Sequence, residues 1–350
     1  PVVEAAPPPR TPPTLDEIFR KVSRSLVWVH KLDESGHRTD TATGFILEPG
    51  RIVTAFQAVD SAARLELEFP GGRKVTVDAL AGFSRNGDWA VLRADTGDLP
   101  AIPRGDPKAI AVGERLIVFN VESEARVIGG IDVGGRRFVP GFGDRIQLSP
   151  GVARAAVGGP LLDAFGRVAG VLGGSITPGS RFDGRSMGVS PALWNNLNAN
   201  NAAVPITEVT VPASAEPATF KALLDAGTLT APITAMPEFM YGGTTQSLPK
   251  SATGPTPRDA SEFARTEPQV FVYSLWSRKG KIGKGMLSAK VYDSGNRLAV
   301  EVPPKKISLG EIPIRSAFGF SPATLKGGMY RVDLLWDGKP VWRTFIVITE

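Results

Sequence analysis

Short runs of strand-forming residues recur at close intervals along most of the chain. Stretches such as TGFIL, RIVTAF, DWAVLRA and RLIVF are separated by Gly, Pro and Asp. In SLVWVHKL the alternation places four side chains on one face of a strand, namely Leu26, Trp28, His30 and Leu32. Closely spaced strands joined by turns predict a mainly β fold of the barrel or sandwich type, because βαβ units would need helices between the strands.

Helical patterns are few. LDEIFRKVS (Leu15–Ser23) carries apolar residues at helical spacing and predicts one short amphipathic helix. A second helical pattern lies at Ser190–Asn200, and a third, at Ala218–Gly227, ends on a glycine suited to a helix C-terminus. We therefore expect helices to connect or cover the β domains rather than to form a layer of their own.

Changes in composition divide the chain into four segments. Residues 1–14 are Pro-rich and predict an unfolded tether, which we interpret as the stretch after a removed signal sequence. Strand patterns fill 15–201, and 202–266 is rich in Pro, Ala, Thr and Ser, as expected of a strap and linker. Strand patterns return over 267–350. The length of 350 residues is sufficient for two domains.

The last segment contains two hairpin signals. DSGN and WDGK each lie between alternating runs, and six or seven strands fit into this segment. The phrase GGMYRVDLLWDGKPVWRTFIVI resembles the closing hairpin of bacterial immunoglobulin-like modules. An immunoglobulin-like β-sandwich is therefore expected over 267–350.

Three stretches within residues 15–201 carry a second resemblance. RIVTAFQAVD, NGDWAVLRAD and ARAAVGGPLLDAFGRVAGVLGG occur in that order, and SMGVSPALWNNL follows them. They resemble the histidine, aspartate and serine segments and the closing strand and helix of trypsin-like serine proteases of the HtrA/Deg type. The resemblance covers about residues 22–200 and implies a double barrel of two six-stranded β-barrels over 15–201.

The same resemblance implies that the catalytic triad is degenerate. Gln57 stands in the histidine position and Val157 in the serine position, while Asp88 retains the aspartate. Ala155 and Ala156 replace the Gly-Asn pair before the serine, in the loop that would hold the oxyanion. An amide has no titratable nitrogen near neutral pH and valine has no nucleophilic atom, so we expect no protease activity. In that case Asp88 is retained because it satisfies backbone N–H groups, and Gly158–Pro160 because of turn geometry.

Other residues offer little to replace the triad. The two histidines, His30 and His37, lie on the first hairpin and precede the segment that should carry the base. Ser149 and Ser175 lie near the right part of the fold, but no base accompanies them. The histidines also have no carboxylate pair beside them at ligand spacing, so no metal site is predicted. With no cysteine, disulfides and thiolate sites are excluded.

The sequence thus predicts a pseudoprotease that binds a protein or an extended peptide in the periplasm or outside the cell. A peptide would add as a strand beside the site, at an edge formed by Leu172, Gly173, Gly174, Ser175 and Ile176. No cofactor is expected. Basic residues are scattered and the net charge is only +5, which does not favour nucleic-acid binding. No transmembrane segment is predicted.

Two alternatives stay open at this point. The first is an active serine hydrolase with a non-standard nucleophile. The second is a carbohydrate or adhesion module in which aromatic residues of the last segment form a stacking face, with the candidates Trp276, Trp336, Trp342 and Tyr330. These aromatics can equally form the core of a sandwich.

Overall fold

The computed structural model describes residues 11–85, 87–122, 125–139, 143–149, 156–173, 202–210, 216–249, 257–277, 283–293, 296–310 and 312–349. Among these residues, no helix is long and apolar enough to cross a membrane. The helix predicted at 190–200 lies outside this described part of the chain.

The first helix, α1 (Leu15–Val22), begins at a capping box. The Thr14 hydroxyl accepts the Glu17 N–H at 3.3 Å, and the Glu17 carboxylate accepts the Thr14 N–H at 2.7 Å. Both ends of the predicted helix are thus correct to within one residue. Ile18 and Val22 are buried in an apolar core together with side chains of both β-barrel regions described next.

An eight-stranded sheet forms the first half of the double barrel. Its strands are β1 (Leu26–Leu32), β2 (Arg38–Glu48), β3 (Arg51–Thr54), β4 (Arg64–Glu68), β5 (Lys74–Val77), β6 (Ala79–Ser84), β7 (Trp89–Arg93) and β14 (Ala218–Thr219). The hydrogen-bonded order is β14-β6-β7-β3-β2-β1-β4-β5, so the sheet has two ends and is not the closed six-stranded barrel that was expected. It nevertheless packs the alternate residues of its strands into one apolar core.

The second half is a closed six-stranded barrel, as predicted. Its strands are β8 (Arg115–Glu122), β9 (Ala125–Val139), β10 (Gly143–Ser149), β11 (Pro160–Leu162), β12 (Val168–Leu172) and β13 (Ala202–Pro205), in the order β10-β13-β12-β11-β8-β9. The barrel has its own apolar core. The mainly β class with two barrel-like sheets is therefore confirmed.

The segment 202–266, predicted as a strap and linker, also contributes to the sheets on either side of it. Its first residues form β13, which closes the second barrel, and β14 extends the first sheet. Helix α2 (Phe220–Asp225) follows, with Thr219 as its N-cap and Gly227 at a φ of 69° beyond its end. Short, Pro-containing strands of this kind lack the alternation by which longer strands are detected.

Two further sheets make up the C-terminal β domain. The strands are β15 (Phe239–Thr245), β16 (Glu262–Ala264), β17 (Val270–Trp276), β18 (Lys284–Tyr292), β19 (Leu298–Ser308), β20 (Ile314–Phe320), β21 (Gly328–Trp336) and β22 (Lys339–Thr349). They are arranged as β15-β17-β20 and β16-β22-β21-β18-β19, and both sheets contribute to one core. Asp337 and Gly338 have positive φ values, so the predicted WDGK hairpin turn is present between β21 and β22. The assignment of this domain to the immunoglobulin-like class stays a prediction.

The four aromatics considered for a stacking face are core residues. Trp276, Trp336, Trp342 and Tyr330 are all buried. The rings of Trp276 and Trp336 lie 4.9 Å apart between centroids. Because a sugar can stack only on an accessible ring face, the structure removes the observation on which the adhesion alternative depended.

Within the segment 202–266, residues 228–235 lie between the first sheet and the C-terminal domain. The name strap is used below for these eight residues alone. Towards the barrel, Thr230 donates to Asp60 and the N–H of Ala235 donates to Asp33 at 3.1 Å. Towards the C-terminal domain, the strap N–H of Thr234 donates to the carbonyl of Pro340 at 2.7 Å. The strap therefore joins the two parts by polar contacts on both of its sides.

Candidate functional site

Gln57 and Asp88 meet because their strands pair. Gln57 lies in a short 3-10 turn after β3, and Asp88 directly precedes β7, the strand that pairs with β3. The backbone N–H of Gln57 donates to Asp88 Oδ1 at 3.0 Å, and its side-chain Nε2 donates to Asp88 Oδ2 at 2.8 Å. Asp88 has a φ of 54°, a left-handed conformation that Asp and Asn tolerate better than most residues. The carboxylate is thus engaged by one residue through both of its oxygens.

Within the part of the chain that the structure describes, the side-chain amide of Gln57 uses only one of its two polar atoms. Its Nε2 is used as a donor to Asp88, and its Oε1 is buried with no hydrogen-bond partner among the described residues. An amide oxygen can accept a hydrogen bond but does not take up a proton near neutral pH. Asp88 therefore orients the Gln57 amide, which offers a hydrogen-bond acceptor and not a titratable group.

Val157 lies in apolar surroundings. Its side chain packs against Ala42, Ala55 and Ala58, two of which flank Gln57 in the chain. Its carbonyl accepts the Thr43 N–H of β2 at 3.0 Å, which ties this loop of the second barrel to the first sheet. Val157 thus packs against residues close to Gln57 in the chain, where the two barrels meet.

The glycines after Val157 maintain the loop. Gly158 has a φ of 84°, and a Cβ at this position would overlap Thr54 Oγ1 and the carbonyl of Thr43. Its N–H donates to the Leu172 carbonyl at 2.6 Å. These constraints support the fold-keeping explanation of Gly158–Pro160. Ala156 is buried, whereas Ala155 lies outside the described residues.

The predicted peptide-binding edge is only partly described. Leu172 pairs with Ala203 of β13 on one side, and on the other its N–H donates to Gly159 at 2.8 Å while its carbonyl accepts from Gly158. The N–H of Gly173 donates to the carbonyl of Ala202 at 3.1 Å. Leu172 therefore offers no free edge, because its backbone groups are already paired in the closed barrel. Gly174, Ser175 and Ile176 lie outside the described residues, and their role stays a prediction.

Arg145 was not identified from the sequence as a residue of this site. It lies on β10 and is 7% exposed. Burial lowers the pKa of its guanidinium, while the negative charges of Asp88, Glu208 and Asp144 act in the opposite direction. A buried cation thus faces the retained aspartate, and only the register of β10 in the closed barrel brings it there. GDRIQLS by itself contains no signal of this proximity.

The structure gives the histidines and Ser149 neighbours other than Gln57, Asp88 and Val157. His30 is 3% exposed on β1, with Nδ1 at 2.9 Å from Thr41 Oγ1 and Nε2 at 3.2 Å from Glu68 Oε2. His37 has a 71% exposed side chain near Asp33. Ser149 is exposed at the end of β10, opposite Asp132 of β9. His30 is a packed strand histidine, as predicted.

Comparison with known proteins agrees with this geometry. Residues 42–171 match the family described as a trypsin-like peptidase domain. This region is therefore similar to a trypsin-like peptidase domain. Gln57, Asp88 and Val157 all fall within the matched residues of the trypsin-like domain.

Similar proteins include several described as probable periplasmic DegP-like serine endoproteases. A probable periplasmic DegP-like serine endoprotease of Chlamydia trachomatis is 30% identical over 136 residues, which are 37% of this chain and 27% of that protein. The anti-sigma-I factor RsgI9 of Acetivibrio thermocellus is 25% identical over 179 residues, 50% of this chain and 25% of that protein. The chain therefore spans about a quarter of the length of these relatives.

A solved structure of the serine endoprotease from Yersinia pestis is also similar. It covers 57% of this chain, and the chain covers 65% of it, with 17% identity and a TM-score of 0.43.

Proposed function

We propose that this chain is a catalytically inactive trypsin-like protein that binds or scaffolds other proteins in the periplasm or outside the cell. The observation that carries the proposal is the double hydrogen bond from Gln57 to Asp88 beside a valine in the nucleophile position. A triad of this composition has no general base in the histidine position and no acyl acceptor in the serine position. The periplasmic DegP-like relatives support the compartment.

The proposed ligand is an extended segment of another protein. Trypsin-like domains can hold a peptide as an added strand, and main-chain hydrogen bonds of this kind need no nucleophile. Loss of the reactive groups leaves a polar amide and an apolar side chain at the junction of the barrels. Such a surface is suited to retaining a peptide without cleaving it.

Inactivity can be tested with a fluorophosphonate probe and with an unstructured protein such as casein. We expect neither labelling nor cleavage by the natural chain. The double variant Gln57→His/Val157→Ser shows whether labelling can be regained when both groups are supplied. Labelling of the natural chain that disappears in Ser149→Ala or Ser175→Ala would establish the alternative of a non-standard nucleophile.

Binding can be tested separately by fluorescence anisotropy with a labelled, unstructured casein fragment. Val157→Arg places a long charged side chain in the degenerate site and should weaken binding by about tenfold or more, equivalent to about 1.4 kcal/mol. Val112→Arg is the matched control, because it adds the same side chain at a surface position outside the proposed site. Val112 is 65% exposed and lies before β8, whereas Val157 follows β10. Equal affinity of both variants would show that binding, if present, occurs elsewhere on the chain.

A further inference from the structure

A histidine and two glutamates meet on the outer face of the first sheet. His30 of β1 lies directly opposite Glu66 of β4, and Glu68 is the next residue of β4 on that face. His30 Nε2 is 3.2 Å from Glu68 Oε2, and one donor atom of each of the three residues lies within 4.8 Å of the other two. Because strand pairing and not sequence spacing creates this group, neither histidine appeared to have a carboxylate pair in the sequence.

From this geometry we propose that His30, Glu66 and Glu68 bind a divalent transition-metal ion such as Zn²⁺. Zinc binds nitrogen and carboxylate oxygen at about 2.0–2.2 Å, so tetrahedral ligands lie about 3.3–3.5 Å from one another. His30 and Glu68 already have this separation. The donor atom of Glu66 lies within 4.8 Å of the other two, so it needs a displacement of at most about 1.5 Å, within reach of a side-chain rotation.

The imidazole is already oriented for ligation. His30 is almost fully buried, and the hydroxyl of Thr41 holds its Nδ1 at 2.9 Å, which leaves Nε2 directed at the glutamates. Partners of this kind on the far ring nitrogen fix the orientation of a metal-bound histidine. Three protein ligands would leave one position for water or for an external ligand.

Two basic side chains at present neutralise the glutamates. Lys74 Nζ lies 2.9 Å from Glu66 and 3.5 Å from Glu68, and Arg38 lies 3.4 Å from Glu66. Both basic side chains are 47% exposed and can turn into solvent. A metal ion would therefore compete with the Lys74 ammonium, and its affinity should increase when that ammonium is removed.

The donor set also determines which ions should bind. Mg²⁺ and Ca²⁺ prefer sites composed of oxygen ligands, whereas an imidazole with carboxylates suits Zn²⁺, Co²⁺ or Ni²⁺. We therefore expect Zn²⁺ to bind in the presence of millimolar Mg²⁺. Co²⁺ offers a spectroscopic signature through its visible absorption.

The test measures Zn²⁺ binding to the full chain by isothermal titration calorimetry, with Co²⁺ absorption as a second readout. Glu68→Gln retains shape and should lower affinity by about tenfold or more, and Thr41→Val should lower it by about tenfold. Lys74→Gln should raise affinity. His37→Ala is the control, because His37 with Asp33 is the other histidine–carboxylate pair described on the chain, and its loss should change nothing at the proposed site.

The opposite signs expected for Glu68→Gln and Lys74→Gln keep the test independent of folding defects, because a destabilised protein would lose affinity in both. Circular dichroism of each variant verifies the fold. Unchanged Zn²⁺ affinity in both variants, or a loss confined to His37→Ala, would overturn the proposal and identify the group as an ion-pair cluster. Either result leaves the question of protease inactivity untouched.

Discussion

Thr230 donates both its N–H, at 2.8 Å, and its hydroxyl, at 3.0 Å, to the same oxygen of Asp60. Asp60 lies three residues after Gln57, so the strap is attached to the turn that carries the histidine position. On the far side of Thr230, the guanidinium of Arg343 donates to the Thr230 hydroxyl. Arg343 also binds Asp333 through two hydrogen bonds of 2.6 and 2.7 Å. A polar chain thus runs from Asp60, near Gln57, into the C-terminal β domain.

Arg343→Met should strongly destabilise the protein. Arg343 and Asp333 have side chains only 5% and 3% exposed. Loss of Arg343 leaves the buried carboxylate of Asp333 with Arg331, whose Nε lies 3.2 Å away, as its remaining counter-charge. Removing one partner of a buried pair costs about 3–5 kcal/mol when the other charge is left uncompensated, so with Arg331 still in place we expect the lower end of that range. The free energy of unfolding in urea provides the measurement.

Lys221→Met is the matched control for that variant. The Lys221–Asp225 pair is 84% and 63% exposed, and such surface pairs contribute about 0–1 kcal/mol. Similar unfolding free energies for the two variants would show that the buried Arg343–Asp333 pair contributes little to stability.

Asp60 should make stability depend on pH in the acid range. Burial opposes its ionisation, but Arg85, Arg343, the Thr230 N–H and Lys31 outweigh burial and lower its pKa; Arg331 is a further cation in this group. The carboxylate therefore ionises more readily in the folded than in the unfolded chain. Its contribution is complete above the unfolded-state pKa of about 3.9 and is lost as pH falls through the lower folded-state pKa.

The pH prediction is tested with Asp60→Asn. Urea denaturation of the natural and variant proteins between pH 7 and pH 3 should show a stability difference that is constant near neutrality and narrows towards the acid end. A difference that stays constant over the whole range would assign the effect of the substitution to shape or hydrogen bonding instead of charge.

Asp88→Ala should destabilise the chain more than Asp88→Asn. Alanine leaves the N–H and Nε2 of Gln57 without their acceptor, at about 1–3 kcal/mol for each buried group, and it tolerates the φ of 54° poorly. Asparagine retains one acceptor oxygen and the backbone conformation. Thermal unfolding of both variants provides the comparison. Equal destabilisation by the two substitutions would mean that the stability loss comes from the negative charge facing Arg145, which both substitutions remove.

Gly158→Ala should be far more costly than Gly113→Ala. Both glycines have a φ of 84°, so the strain of a left-handed alanine is common to the two variants. A Cβ at Gly113 meets no atom within 4 Å, whereas at Gly158 it would overlap Thr54 and Thr43. The difference between the two urea midpoints therefore isolates the steric effect, and equal midpoints would show that the loop can relax.

Local patterns predicted the parts of the fold that depend on neighbouring residues. Thr14 and Glu17 define the start of α1, and the WDGK turn defines the last hairpin. The pairing of Gln57 with Asp88 followed from the resemblance, since the strand order of a family places the same positions together. Strand β13 was not predicted, because AAVP is too short and ends in proline.

Contacts between distant parts of the chain were inaccessible to the same reasoning. Arg343 and Thr230 are 113 residues apart, and Thr230 and Asp60 are 170 residues apart. Nothing in the local sequence of each residue specifies its partner, because the partner is determined by how the strap is laid between two separately folded sheets. Arg145 and the His30 cluster were missed for the same reason: both depend on strand register.

Residues 202–235 include β13 of the second barrel, β14 of the first sheet and the strap. This arrangement limits how the gene for such a protein can be rearranged. A crossover at residue 201 would separate β13 from the other five strands of the second barrel, because β13 would be inherited with the C-terminal domain. The remaining five strands would then lack the strand that closes their barrel. A crossover beyond the strap would leave Arg343 facing a foreign surface with no Asp60 or Thr230. The barrels, strap and C-terminal domain are therefore expected to be inherited as a single block, with exchange of modules confined to its outer ends.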